Sequence, residues 1–220
     1  MKDEIIIIED TREPKVDSDK GNPQHTYMIS RGYKVIRAPL AVGDYALATP
    51  KTMATIQAVQ SWRRNSVIHA FKEEKRQPTA EERKKLEDIE NMEQAGLALT
   101  KMDTAGTFSR VVDLKRSIKE LNANFCYRDH QRVMLECKRA ANLGIDITFL
   151  LVHDTMQTID DLIGVMYYDE DLDRFVDGAD ILTAIEPFRA LPHVHFEVTP
   201  YNRSVQAILR ILQNKGGDLL

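Results

Sequence analysis

Asp113 and Lys115 are separated by one residue in the run Val111-Val112-Asp113-Leu114-Lys115. In an extended chain this spacing places a carboxylate and an ammonium on one face. Such a pair suits metal-assisted phosphodiester hydrolysis. The carboxylate binds a hard divalent cation through oxygen. The lysine orients the attacking water or helps to deprotonate it, and opposes charge that develops on the phosphate. Asp44, directly after Gly43, is a second candidate metal ligand. Asp10 and Glu13 follow Ile5-Ile6-Ile7-Ile8 in the cluster Asp10-Thr11-Arg12-Glu13. The candidate metal ligands are therefore Asp10, Asp44 and Asp113, and the candidate catalytic groups are Glu13, Asp113 and Lys115. Magnesium fits this set, because it takes a few carboxylates and keeps several waters. An Asp-x-Lys pair is common by chance, so the reading rests on the three sets together. Its plain rival is a set of salt bridges at strand ends and an ordinary turn aspartate at position 44.

Three strands must hold these groups. Four consecutive isoleucines suit a strand buried on both faces, and Pro14 ends its ladder. Gly43 predicts a tight turn and then a strand through Leu47. Phe108 to Lys115 is strand-like and ends in charge. Elsewhere, Gln24 to Arg31 predicts a short helix closed by Gly32, and Tyr33 to Arg37 a strand. Ser117 to Phe125 and Asp129 to Asn142 predict helices, the second capped by Asp129 and stopped by Gly144. Ile147 to Val152 reads as another fully buried strand. Thr158 to Met166 is amphipathic, Val194 to Val198 alternates, and Ser204 to Gln213 predicts a last helix. Strands alternating with helices give an α/β sheet.

Between about Pro50 and Gly106 hydrophobic residues thin out and charge rises. Thr79 and Glu82 match a capping box. Trp62, Ile68 and Phe71 are expected to line one helix; Leu86, Ile89 and Met92 line another that Gly96 closes. Residues 50–106 are thus expected to be a helical hairpin inserted into one domain spanning 1–220.

The hydrophobic content of 43% supports a proper core, and no run is long enough to span a membrane. No signal-peptide pattern opens the chain, so a cytoplasmic protein is the expectation. The two cysteines, Cys126 and Cys137, are expected on one helix, about 16 Å apart and reduced. Combined with His130, His193 and His195 they match no compact zinc spacing. The net charge of −4 does not suit a protein that coats nucleic acid. Its distribution is uneven, however. From Trp62 to Lys85 there are eight Lys/Arg against four Glu, and from Lys115 to Arg139 seven against three acids. These basic stretches make Arg63, Arg64, Arg116, His130 and Arg132, with Arg12, candidate DNA contacts. Residues 154–186 hold ten acids and one arginine.

Asp10-Thr11-Arg12-Glu13, Gly43-Asp44-Tyr45 and Val111-Val112-Asp113-Leu114-Lys115 together resemble the XPF-type (excision-repair) nuclease domain. That domain belongs to the restriction-endonuclease-like superfamily. Ile118 to Leu121, His130 to Arg132 and Glu136 resemble the helices of its single-domain bacterial and phage members. The resemblance covers roughly residues 4–49 and 108–153. It implies an α/β/α sandwich with a central mixed sheet. It also implies a magnesium- or manganese-dependent deoxyribonuclease acting on flap, fork or other branched DNA in a bacterial or phage-infected cell. A homodimer is implied by the resemblance alone. The sequence departs from the family in having Asp113 and Leu114 where it has Glu and Arg, and Lys119 where it has an acid. No tandem helix-hairpin-helix module follows. The alternatives are a catalytically inactive DNA- or protein-binding module of the same fold, and a nuclease acting on intact duplex.

Overall fold

The structure, a computed structural model, describes residues 5–14, 22–90, 96–97, 99–127 and 129–213. It is an α/β arrangement. The strands, in chain order, are β1 (Ile6–Asp10), β2 (Lys34–Ala38), β3 (Tyr45–Leu47), β4 (Arg110–Lys115), β5 (Asp146–Val152), β6 (Met166–Asp169), β7 (Arg174–Asp177) and β8 (Val194–Thr199). Six of them form a mixed, mostly parallel sheet in the order β2-β1-β3-β4-β5-β8, and β6 pairs with β7 alone. The chain divides into two compact units: residues 1–41 with 47–108, and residues 42–46 with 109–220.

In the first unit β1 and β2 run parallel, with Ile8 opposite Ile36 and Asp10 opposite Ala38. Ile7, Ile8 and Ile36 are completely buried, as the isoleucine run predicted. Helix α1 (Pro23–Ser30) starts with Pro23 inside its first turn and is capped by Asn22, whose Oδ1 accepts from the His25 N–H at 3.1 Å. The inserted segment folds as α2 (Pro50–Glu73) and α3 (Ala80–Glu90), with a short helix α4 (Lys101–Thr104) after them. Thr49 and Thr52 cap α2 reciprocally. The expected Thr79–Glu82 box caps α3, at 2.8 and 3.2 Å. Arg76 grips Glu82 with two hydrogen bonds, at 2.6 and 2.7 Å, and holds that carboxyl down at about 2.

One detail of the hairpin differs from expectation. Trp62 does not line the buried stripe: it is 70% exposed, and Ile56 and Ile89 take the buried positions. The course of the chain from 91 to 95, on which the closing of α3 by Gly96 depends, lies outside the described residues. A Cβ on Gly96 would lie 2.5 Å from the Arg37 carbonyl oxygen, so the glycine permits close backbone approach there. Met92 lies outside the described residues.

In the second unit β3 is antiparallel to β4, with Tyr45 opposite Val112. β4, β5 and β8 are parallel to one another. Between β4 and β5 come α5 (Ile118–Phe125) and α6 (His130–Leu143). Ser117 caps α5, and Gly144 ends α6 in the left-handed conformation. Asp129 occupies the cap position of α6 without making the expected side-chain cap bond. Cys126 closes α5 and Cys137 lies within α6, so the two free thiols are on different helices. Burial pushes the Cys137 thiol up to about 12, with Glu136 and Asp113 adding to it. Helix α8 (Ser204–Gln213) packs on β4 and β5 through an apolar face that includes Ile208.

The segment from 158 to 189 is the part sequence reasoning resolved least. Residues Ile159–Gly164 form a 3₁₀ turn that buries Ile159 and Leu162. The β6–β7 hairpin and α7 (Gly178–Arg189) follow. Dense acids and Pro187 hid them, because Pro is a poor helix former and charge obscures alternation. Pro187 is tolerated near the C-terminal end of α7, after Asp177 has capped its start at 2.9 Å.

Candidate functional site

The antiparallel turn of β3 brings its first residues beside the carboxyl end of β4. The Asp44 N–H donates to the Val112 carbonyl at 2.8 Å, and Asp44 Oδ2 accepts from the Leu114 N–H at 2.8 Å. Gly43 makes the approach feasible. Its φ is +69°, and a Cβ there would meet Val111 Cβ at 2.8 Å. Glycine alone satisfies both demands.

Asp113 and Lys115 share a face of β4, as the two-residue period requires, and they form an ion pair in which each side chain is 5% exposed. The pair lacks hydrogen-bond geometry at Asp113 Oδ1, which is buried with no hydrogen-bond partner. Beneath it lies an aromatic floor. Lys115 Nζ stands 5.6 Å from the centre of Phe149, which stacks on Phe196 and meets Phe125 edge-on. Burial in this apolar setting pulls the Lys115 ammonium down. The carboxylates of Asp113, Asp44 and Glu120 outweigh that pull, so its pKa lies above the ordinary lysine value. The ammonium form is thereby favoured, and in that form the side chain can donate and stabilise negative charge.

Helices α5 and α6 bring in Asn124, which the sequence did not single out, together with Arg132 and Glu136. Lys115 Nζ donates to Asn124 Oδ1 at 3.3 Å, and Arg132 donates to the same oxygen at 2.8 Å. Glu136, one turn along α6 from Arg132, accepts from the Gly43 N–H at 2.9 Å and is 5% exposed. Arg132 also lies 3.4 Å from Glu136. Asp44, Asp113, Lys115, Asn124, Arg132 and Glu136 thus belong to one polar cluster in the second unit. Glu136 was legible through its four-residue offset from Arg132 and through the resemblance; nothing in the sequence marks Asn124.

The other predicted contacts of this unit are placed differently. His130 Nδ1 is 2.6 Å from the Phe125 carbonyl and its ring packs edge-on against Phe188, which makes it a packing residue. Arg116 is exposed directly after Lys115, its N–H bonded to Glu120. Lys119 pairs with Asp171 at 3.0 Å and Asp169 at 3.6 Å.

In the first unit Asp10 is completely buried. Its Oδ1 accepts from the Arg12 N–H and Nε at 2.7 and 3.0 Å; its Oδ2 accepts from Arg12 Nη2 at 2.9 Å and the Leu40 N–H at 3.0 Å. Four donors on two oxygens describe a carboxylate that ties the end of β1 to the following loops. The Glu13 N–H donates to the Asp10 carbonyl at 3.1 Å, and the Glu13 carbonyl accepts from Arg37. Glu9, which sequence reading passed over, is completely buried too, held by Asn22 at 2.7 Å, His25 at 2.9 Å and Arg37 at 3.4 Å. On the inserted hairpin Arg64 pairs with Glu90 at 3.4 Å, and Arg63 lines a cavity between α2 and α3.

No protein-family model matches the chain, and no curated protein or solved structure matches it. The functional reading therefore stands on the geometry of the cluster. Among the described residues, no three His, Cys, Asp or Glu side chains form a preassembled metal cluster, and no helix is long and apolar enough to cross a membrane.

Proposed function

We propose that the chain is a magnesium- or manganese-dependent deoxyribonuclease of restriction-endonuclease-like fold, acting on branched DNA. One observation carries the reading. A buried Asp113–Lys115 pair sits at a parallel strand's carboxyl end with the half-buried Asp44 folded against it. Crevices outside such strand ends are where open α/β sheets bind ligands. The donor set also fits the expected ion. Asp44 and Asp113 are hard oxygen donors, and Asp113 Oδ1 is buried with only the Lys115 ion pair against it and no hydrogen bond.

Asp44 and Asp113 would hold the cation, with Glu136 fixing the Gly43 turn that presents Asp44. The ion, when bound, lowers the pKa of a water and neutralises a phosphate oxygen. The Lys115 ammonium stabilises the pentavalent phosphate through charge, and Asn124 and Arg132 keep it aimed. Arg116, exposed one residue later, contacts the DNA backbone. Asp10 and Arg12 brace β1.

A second reading is a catalytically inactive module of the same fold. The observation that favours it is the closed Asp113–Lys115 pair, which already neutralises the central carboxylate. Purified protein and its Asp44→Asn variant, tested on duplex, flap, fork and single-stranded DNA with magnesium or manganese, decide between them. Cleavage of a branched substrate by the parent and not by the variant supports the nuclease. Equal cleavage by both overturns the site. Manganese binding without cleavage, or no binding at all, favours the inactive module.

A further inference from the structure

The α2–α3 hairpin holds a feature that the nuclease centre does not use. A cavity of about 280 Å³ opens between the helices, lined by Trp62, Arg63, Val67, Lys85, Asp88 and Ile89. Its floor is rigid. Ile89 is buried, and Gln60 Nε2 on α2 donates to the Ile89 carbonyl on α3 at 3.0 Å. At its mouth Trp62 keeps 70% of its surface exposed. An indole this exposed is unusual for so apolar a ring. Arg63 forms no ion pair among the described residues, unlike its neighbour Arg64. Lys85 is steered by Glu81 at 2.8 Å.

We propose that this cavity is a binding site for an unpaired nucleotide of single-stranded DNA. A flat aromatic face beside cations is what single-strand binding requires. The ring stacks a base, and the cations take the phosphates on either side. The cavity lies near the lower limit for small-ligand pockets, so it fits a base. A partner helix would need a longer apolar groove than Val67 and Ile89 provide. Asp88 sharpens the choice of base. A carboxylate accepts from an exocyclic amino group, as on cytosine, and thymine has none to give. The site therefore prefers oligo(dC) to oligo(dT) and rejects blunt duplex, whose bases are stacked and paired.

The proposal deepens the nuclease reading, on which its choice of DNA rests; branched substrates carry unpaired strand. Its test is independent of cleavage. Trp62 is the only tryptophan in the chain, so its fluorescence reports the site directly. Titration of the full chain with short oligo(dC) in chelator and low salt should give saturable quenching that weakens as salt rises. Trp62→Ala and Arg63→Ala, read by anisotropy of a labelled strand, should each weaken oligo(dC) binding roughly tenfold with unchanged helix content. Asp88→Asn should narrow the gap between oligo(dC) and oligo(dT). No saturable quenching, equal quenching by blunt duplex, or unaltered affinity in Trp62→Ala would overturn the site. Because no metal is present, binding here survives a failed nuclease assignment, and cleavage in magnesium survives loss of this site.

Discussion

Lys115 Nζ rests against a carboxylate oxygen of Asp113 from two residues along the same strand, with both side chains 5% exposed. Neither charge can be removed quietly. A buried ion with its partner deleted costs about 3–5 kcal/mol, although replacing both partners with apolar groups is often close to neutral. Asp113→Ala and Lys115→Ala should therefore each lower stability by about 3 kcal/mol or more in urea denaturation. An Asp113→Leu, Lys115→Met double variant should lose much less than the sum of its single variants. Additive losses would show that the two groups do not act as a unit. The same result makes Lys115→Ala a poor probe of catalysis, because it disturbs the fold as well.

Asp44 and Asp10 are both acids beside strands, but their surroundings assign them different work. Asp10 is surrounded by four donors, and Asp44 is half-buried beside Asp113. Manganese titration by calorimetry should find affinity reduced at least tenfold by Asp44→Asn. Asp10→Asn should retain affinity within a few-fold while lowering stability by about 1–3 kcal/mol, since buried donors lose a charged acceptor. The opposite ranking would return Asp10 to the metal-ligand set.

Alkaline pH should unfold the protein more readily. The pKa of Lys115 is raised in the folded state, so its contribution is fully present below the unfolded value of about 10.4 and is lost as pH rises through the folded one. Cys137 acts in the same direction. Its folded value of about 12 lies above the ordinary thiol value, so ionisation favours the unfolded chain from about pH 8.5 upward. Denaturation midpoints measured from pH 7 to 11 should fall steadily above about pH 9. Lys115→Met should shallow the upper part of that slope, and Cys137→Ser the lower part.

Gly43 joins the turn to the site. Alanine there must adopt a φ of +69° and push into Val111, 2.8 Å away. Left-handed backbone alone costs about 1–2 kcal/mol for a residue with a Cβ. Gly43→Ala should lower stability by about 2 kcal/mol or more. It should also weaken manganese binding, because the Asp44 carboxylate and the Glu136 bond to the Gly43 N–H move with the turn. Unchanged manganese affinity would separate the turn from the site.

Much of the secondary structure was legible from residue types. The isoleucine run, the alternation of β8, the Thr79–Glu82 box and Gly144 are local signals whose physics acts within a few residues. The β6–β7 hairpin and α7 were not legible. Their acids mask the apolar period, and the burial of Ile181, Ile185 and Phe188 becomes visible only when neighbours pack on them. Trp62 was misjudged for the same reason: helical spacing names a stripe, but packing decides which members are covered. Cys126 and Cys137 fell on two helices because Cys126 closes α5 and α6 starts afresh at His130, the boundary that the expected cap at Asp129 already implied.

By itself the sequence determined that Asp113 and Lys115 share a face, that Gly43 can turn where Asp44 begins a strand, and that the chain alternates strands with helices. These follow from the two-residue period of a strand and from backbone sterics, which need no distant partner. Only the tertiary structure decided that Asp10 is bound by four donors, that Asn124, Arg132 and Glu136 join the Lys115 cluster, and that Lys115 is buried against Asp113 over an aromatic floor. Hydrogen-bond satisfaction and local dielectric depend on groups brought from far along the chain, and no local pattern records them.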